Sequence, residues 1–189
     1  MSTAKLQGPF EASYAATAEL VVQRAVEPQY IPAAPWLAVS ISAGNERWRL
    51  VVGADDPHGE DLLDGIYSTP NERAFIVVAA GAAYAVDAFD SQARLWLGLK
   101  PRTVREVVPL EARGLIVLVG DLAIGAYMKS SEPYKILDAR WVTDPIAQGD
   151  LRVVAVGEHV LRVSAWCAPV RHHVLCEVSL DDGRFRRVG

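Results

Sequence analysis

From Leu37 onward the chain alternates apolar and polar positions with the period of two that marks half-buried β-strands. In "LAVSIS" Leu37, Val39 and Ile41 alternate with Ala38, Ser40 and Ser42. "GNE" at residues 44–46 supplies a turn, and "WRLVV" returns with Trp48, Leu50 and Val52 on one face. The same theme follows in residues 75–89, "FIVVAAGAAYAVDAF", with Gly81 near the middle. It recurs in residues 115–128, "LIVLVGDLAIGAYM", turning at Gly120 and Asp121, and in residues 151–166, "LRVVAVGEHVLRVSAW", turning at Gly157 and Glu158. Val, Ile, Tyr and Trp, the residues that suit a pleated, half-buried surface, dominate all four. Upstream, residues 11–26, "EASYAATAELVVQRAV", are rich in alanine and predict a helix, although "ELVVQ" serves a strand equally. Pro28, Pro32 and Pro35 then break regular structure into an extended connector. The expected organisation is an N-terminal arm or helix with a proline-rich connector over 1–36, and a single all-β domain over 37–189.

The four units begin at Leu37, Phe75, Leu115 and Leu151, so they recur every 36 to 40 residues. Self-similarity at that period is a mark of repeated supersecondary units, propeller blades among them. The stretch after the fourth unit, "VLCEVSLDDGRF", contains Leu180, Asp181, Asp182, Gly183 and Arg184. This run resembles the "LDxxTG" strand end of quinoprotein-type β-propeller blades, with aspartate at the threonine position and without the tryptophan that usually follows. "YAVDAFD" at 84–90 resembles it more loosely. The resemblance implies a propeller-like meander. An antiparallel β-sandwich yields glycine-turned hairpins too, so the expected fold class is all-β, built of repeated antiparallel hairpins, in either of those two arrangements.

Composition narrows the partners. The 189 residues are 51% hydrophobic and 22% charged, ordinary values for one globular domain. At this length a single core suffices without a disulfide or a metal. The formal net charge of −4 argues against nucleic acid, whose phosphates demand a concentrated basic surface. Arg184, Arg186 and Arg187 form only a small cluster. The first twenty residues lack the basic and apolar segments of a signal peptide. The most apolar run, residues 74–86, is shorter than the ~20 residues of a membrane-spanning helix. The expectation is a cytoplasmic protein without membrane or nucleic-acid partners, with two cysteines that suit a reducing compartment.

Candidate chemistry is sparse. There is no phosphate-binding loop, nucleophile elbow, HExxH, EF-hand or GxGxxG pattern, and no cofactor is expected. "CAPVRHHVLC" at 167–176 holds both cysteines and two of the four histidines. Cys167, His172 and Cys176 are candidate zinc ligands, but structural zinc usually takes two tight ligand pairs and only one loose set exists. Strand phase puts Cys176 with Val174 and Val178 as a small packed hydrophobe, and sends His172 and His173 to opposite faces. A Cys167–Cys176 disulfide across a hairpin is a second possibility. In "GADDPHGEDLLDG", Asp55, Asp56 and His58 are candidate ligands for a hard cation. Five tryptophans remain. Trp48 and Trp166 sit in strand patterns and read as core. Trp96 and Trp141 adjoin loops and are the candidate partner contacts.

Three functions stay open. The first is a non-catalytic interaction module that binds another protein or itself. The second is a hydrolase whose dispersed Asp and Glu residues converge with His58 or His159. The third is a small-molecule or cation binder using the acidic loop.

Overall fold

The computed structural model describes residues 5–7, 10–17, 36–43, 45–53, 63–89, 99–132, 135–168 and 170–188. They form four antiparallel sheets in chain order, each a simple up-and-down meander. Sheet 1 contains β1 (Lys5–Gln7), β2 (Phe10–Thr17), β3 (Trp36–Ala43) and β4 (Glu46–Gly53). Sheet 2 contains β5 (Gly65–Ser68), β6 (Ala74–Ala79) and β7 (Ala82–Asp87). Sheet 3 contains β8 (Val104–Leu110), β9 (Leu115–Gly120), β10 (Ile124–Lys129) and β11 (Leu137–Val142). Sheet 4 contains β12 (Arg152–Val156), β13 (Val160–Cys167), β14 (His172–Ser179) and β15 (Phe185–Val188). The chain is all-β with repeated antiparallel hairpins, as the alternation predicted. Each of the four glycine-turned hairpins falls in a separate sheet, but not at the same place within it. β3 and β4 close sheet 1, whereas β12 and β13 open sheet 4.

The sheets stack face to face in the order of the chain. One face of β6 and β7, through Phe75, Val77, Tyr84 and Val86, packs on Leu37, Val39, Ile41 and Leu50 of sheet 1. Their other face, Ala74, Ile76, Val78 and Ala85, packs on Ile116, Leu118 and Tyr127 of sheet 3. The alternate residues of sheet 3, Val117, Val119, Ile124 and Ala126, meet Leu161, Val163, Ala165, Cys176 and Val178 of sheet 4. β6 and β9 are therefore buried on both faces and read as continuous apolar runs. The outer sheets need only one apolar face, which is why "LAVSIS" alternates. The opening strands lie side by side: β5 touches β8, and β8 touches β12. The Val153 amide joins the last two by donating to the Glu106 carboxylate at 3.3 Å.

Two expectations are corrected near the N-terminus. Residues 10–17 form strand β2, not the start of a helix. In register, Ala12, Tyr14 and Ala16 stand opposite Ile41, Val39 and Leu37, so pairing with β3 overrides alanine's helix preference. Lys5–Gln7 and Phe10–Thr17 likewise do not stand apart as an arm, because β1 and β2 are the first half of the sheet that β3 and β4 complete. The rest of the predicted helix, residues 18–26, and all three prolines of the connector lie outside the described residues. Among the described residues no helix is long and apolar enough to cross a membrane.

Candidate functional site

Sheet 4 ends the stack, and its two faces differ. Leu161, Val163 and Ala165 point into the core, so Arg162, Ser164 and Trp166 occupy the outer face. The β13–β14 register carries the division across the sheet: Arg162 stands opposite Glu177, Ser164 opposite Leu175, and Trp166 opposite His173. On the flanks, Arg186 stands opposite Glu177 and Val188 opposite Leu175, while Arg152 stands opposite Ser164 and Ala155 opposite Arg162. The outer face is thus three rows of side chains, each running across the strands. Exposed apolar residues also gather on this sheet. Of the nine large hydrophobics that are exposed among the described residues, Val154, Val156, Leu175, Phe185 and Val188 lie in its strands and Val170 in its central turn.

The first row is ionic. Arg162 donates from Nε to Glu177 Oε1 at 3.0 Å, and Arg186 donates from Nε and Nη2 to Oε2 at 3.1 and 2.7 Å. Glu177 is buried between the two guanidiniums, although it stands on the outer face. The hydrogen bonds from Arg186, and then from Arg162, hold its carboxyl below the usual glutamate range.

The third row is aromatic and polar. Ser164 Oγ reaches across from the middle row to within 3.1 Å of His173 Nδ1, and His173 Nε2 lies 3.4 Å from Asp150 Oδ2. Arg152 donates to the other oxygen of Asp150 at 2.6 Å. The Trp166 ring meets His173 edge to face, with centroids 5.4 Å apart. Serine, histidine and aspartate are the residue types of a nucleophile–base–acid relay. Here they stand on an open sheet face, with His173 and Asp150 each more than two-fifths exposed. A relay of this kind acts in a water-excluded site, whereas His173 and Asp150 here meet solvent.

The partner candidates separate. Trp96 lies outside the described residues. Trp141 is buried against sheet 4: its indole N–H donates to the Leu180 carbonyl at 3.1 Å, and its ring covers Gly183. It packs in the core and is not presented to a partner. Trp48 packs on the sheet 1 core, as its strand phase implied. Trp166 does the reverse and is half-buried on the outer face. The signal was in the sequence, since Trp166 is one position out of phase with Leu161, Val163 and Ala165.

Asp55, Asp56 and His58, the acidic-loop candidates, lie outside the described residues. At the other candidate metal site, Cys167 stands opposite His172, but Cys176 stands opposite Val163. Four residues of strand separate the cysteines, roughly 13 Å at 3.3 Å per residue. That is beyond the ~7 Å limit for a disulfide, and both thiols are free. Burial pushes the Cys176 thiol up, against the opposing pull of Arg187, and Arg187 reaches Cys167 Sγ at 3.6 Å. Among the described residues no three His, Cys, Asp or Glu side chains converge to hold a metal. His159, the other hydrolase candidate, sits exposed on the β12–β13 turn, 3.8 Å from Glu158 and 3.9 Å from Asp181.

One end of sheet 4 is fastened to sheet 3. Arg113, on the turn after β8, donates to the Glu158 carbonyl at 2.6 Å and pairs with the Asp181 carboxylate. Arg140 donates to the Asp181 carbonyl at 3.4 Å. These bonds and the Trp141 anchor fix the orientation of the outer face. Residues 180–184 form the turn between β14 and β15 at this fastening. No protein-family model matches the chain, and no curated protein sequence matches it.

Proposed function

We propose that the chain is a non-catalytic protein-interaction module, a propeller-like stack of sheets that offers the outer face of sheet 4 to a protein partner. The observation that carries this reading is the contrast between the sheets. Strands β6 and β9 of sheets 2 and 3 bury both faces, whereas sheet 4 leaves Trp166, Leu175 and Val188 outward beside paired arginines. Tryptophan and arginine are enriched where proteins recognise each other, and apolar residues bounded by polar ones mark such surfaces. The propeller-like reading of the scaffold rests on three features: meanders in chain order, opening strands side by side, and successive sheets packed face to face.

A photo-cross-linking residue tests the reading when placed at Leu175 on this face, or at Ser40 on the outer face of sheet 1, in the full-length chain within its native lysate. The expected result is a discrete cross-linked protein species from position 175 and none from position 40. Equal patterns from the two positions, or none from either, would contradict it. The hydrolase alternative has its best footing in Ser164, His173 and Asp150, and the open setting of these three weighs against it.

A further inference from the structure

We infer that the end of sheet 3 carries a binding site for a small organic monocarboxylate. The carboxylate sits on the Arg140 guanidinium and a short apolar body lies on Leu115 and Met128. The site is distinct from the outer face of sheet 4 and stands apart from the interaction reading.

A cavity of about 350 Å³ opens there, lined by Ala112, Arg113, Leu115, Met128 and Arg140. Its floor follows from strand phase. Leu115 and Met128 stand opposite each other in the β9–β10 register, in phase with Val117 and Ala126, which meet sheet 4. Its walls are basic. Arg113 ends the single turn of 3-10 helix Glu111–Arg113, which Gly114 closes with a φ of 60°. Arg140 is the extra residue of a β-bulge: Ala126 pairs with Trp141 and Tyr127 with Ala139, so Arg140 has no cross-strand partner. A bulge re-aims a side chain out of the strand's alternation, and bulges gather beside active sites.

The two cations are unequally committed. Arg113 pairs with the Asp181 carboxylate and donates to the Glu158 carbonyl. Arg140 uses only its Nε, on the Asp181 carbonyl at 3.4 Å, and among the described residues neither of its Nη groups has a partner. Asp138, the carboxylate opposite Met128, is held by Lys135. One positive charge is therefore left uncompensated at the cavity, on a planar fork that fits a carboxylate through two parallel hydrogen bonds. Arg113 adds a second sign. Its Nε is buried without a hydrogen-bond partner, a standing cost that an oxygen acceptor on the ligand would relieve. The apolar floor disfavours a strongly hydrated dianion such as inorganic phosphate, which would lose water over Leu115 and Met128 with one free cation in return.

The test uses Met128 as the reporter. Met1 and Met128 are the chain's only methionines, so methyl-labelled methionine gives two resonances, and Met128 is the one lost in Met128→Leu. Phenylacetate titrated into the purified full-length chain should shift the Met128 methyl saturably, with half-saturation in the millimolar range. Phenylacetamide keeps the shape without the charge and should bind about tenfold more weakly or worse. Arg140→Gln should weaken phenylacetate by about tenfold or more, with unchanged circular dichroism and melting, because Arg140 is exposed and holds one long hydrogen bond. Arg140→Lys, which keeps the charge but not the fork, should fall between the two. Arg152→Gln, on sheet 4, should change nothing. Absence of a saturable shift up to about 50 mM phenylacetate would overturn the inference. So would equal binding of the amide, affinity indifferent to Arg140→Gln, or inorganic phosphate displacing phenylacetate at a similar concentration. Every readout comes from the purified chain, so failure here leaves the cross-linking test of the outer face untouched.

Discussion

Glu177 shows how one residue takes its character from its neighbours. It belongs to the polar phase of β14, yet it is buried because two arginines close over it from the flanking strands. With its carboxyl held below the usual glutamate range, the folded state binds this proton less readily than the unfolded chain does. The group therefore stabilises the fold fully above about pH 4.3, the ordinary glutamate value, and loses that contribution as pH falls through the folded value. Glu177→Gln should be less stable than wild type at pH 7, and the gap should narrow progressively below about pH 4. Urea midpoints across that range measure it, and a gap of constant size would show that the carboxylate charge plays no part. None of this was legible from the sequence. Glu177, Arg162 and Arg186 are ordinary exposed-phase residues until strand pairing sets them in one row.

At the scale of the element, hairpins were legible because period-two alternation and glycine turns are local signals. β2 was not, because its alanines favour helix locally and only the register with β3 makes a strand of it. Trp141 failed for a related reason. It adjoins a loop in sequence, but β11 is the last strand of sheet 3 and turns it onto the β14–β15 connection. There the ring covers Gly183, whose φ of 72° suits glycine and whose Cα has no room for a side chain. Trp141→Ala should cost about 3–5 kcal/mol by vacating this contact, and Gly183→Val should be destabilising through both strain and collision. Chemical denaturation of the two variants tests the placement. Near-wild-type stability in Trp141→Ala would return that residue to the surface.

For the whole molecule, the sequence conveyed the all-β class and a recurring unit, but not where each unit sits within its sheet. Hairpin spacing reports the turns, while the sheets are delimited by which strands pair, and pairing is non-local. The candidate site was half legible. Phase places His173 and Leu175 outward, and Trp166 with them against its reading as core, but only the stacking order reveals that sheet 4 stands at an end with that face open. Residues 172 and 173 offer the most direct measurement, since strand alternation sends these adjacent histidines to opposite faces of one sheet. His173 stands in the outer face beside Trp166, whereas His172 sits exposed at the start of β14, with its Nδ1 2.8 Å from the Val170 carbonyl. Acylation of histidine by diethyl pyrocarbonate, read by mass spectrometry, should proceed at similar rates for both in the dilute purified chain. In native lysate, His173 should be protected while His172 remains as reactive as before. Unchanged labelling of His173 in lysate, or equal protection of both histidines, would contradict the assignment of the outer face of sheet 4 as the surface through which this protein acts.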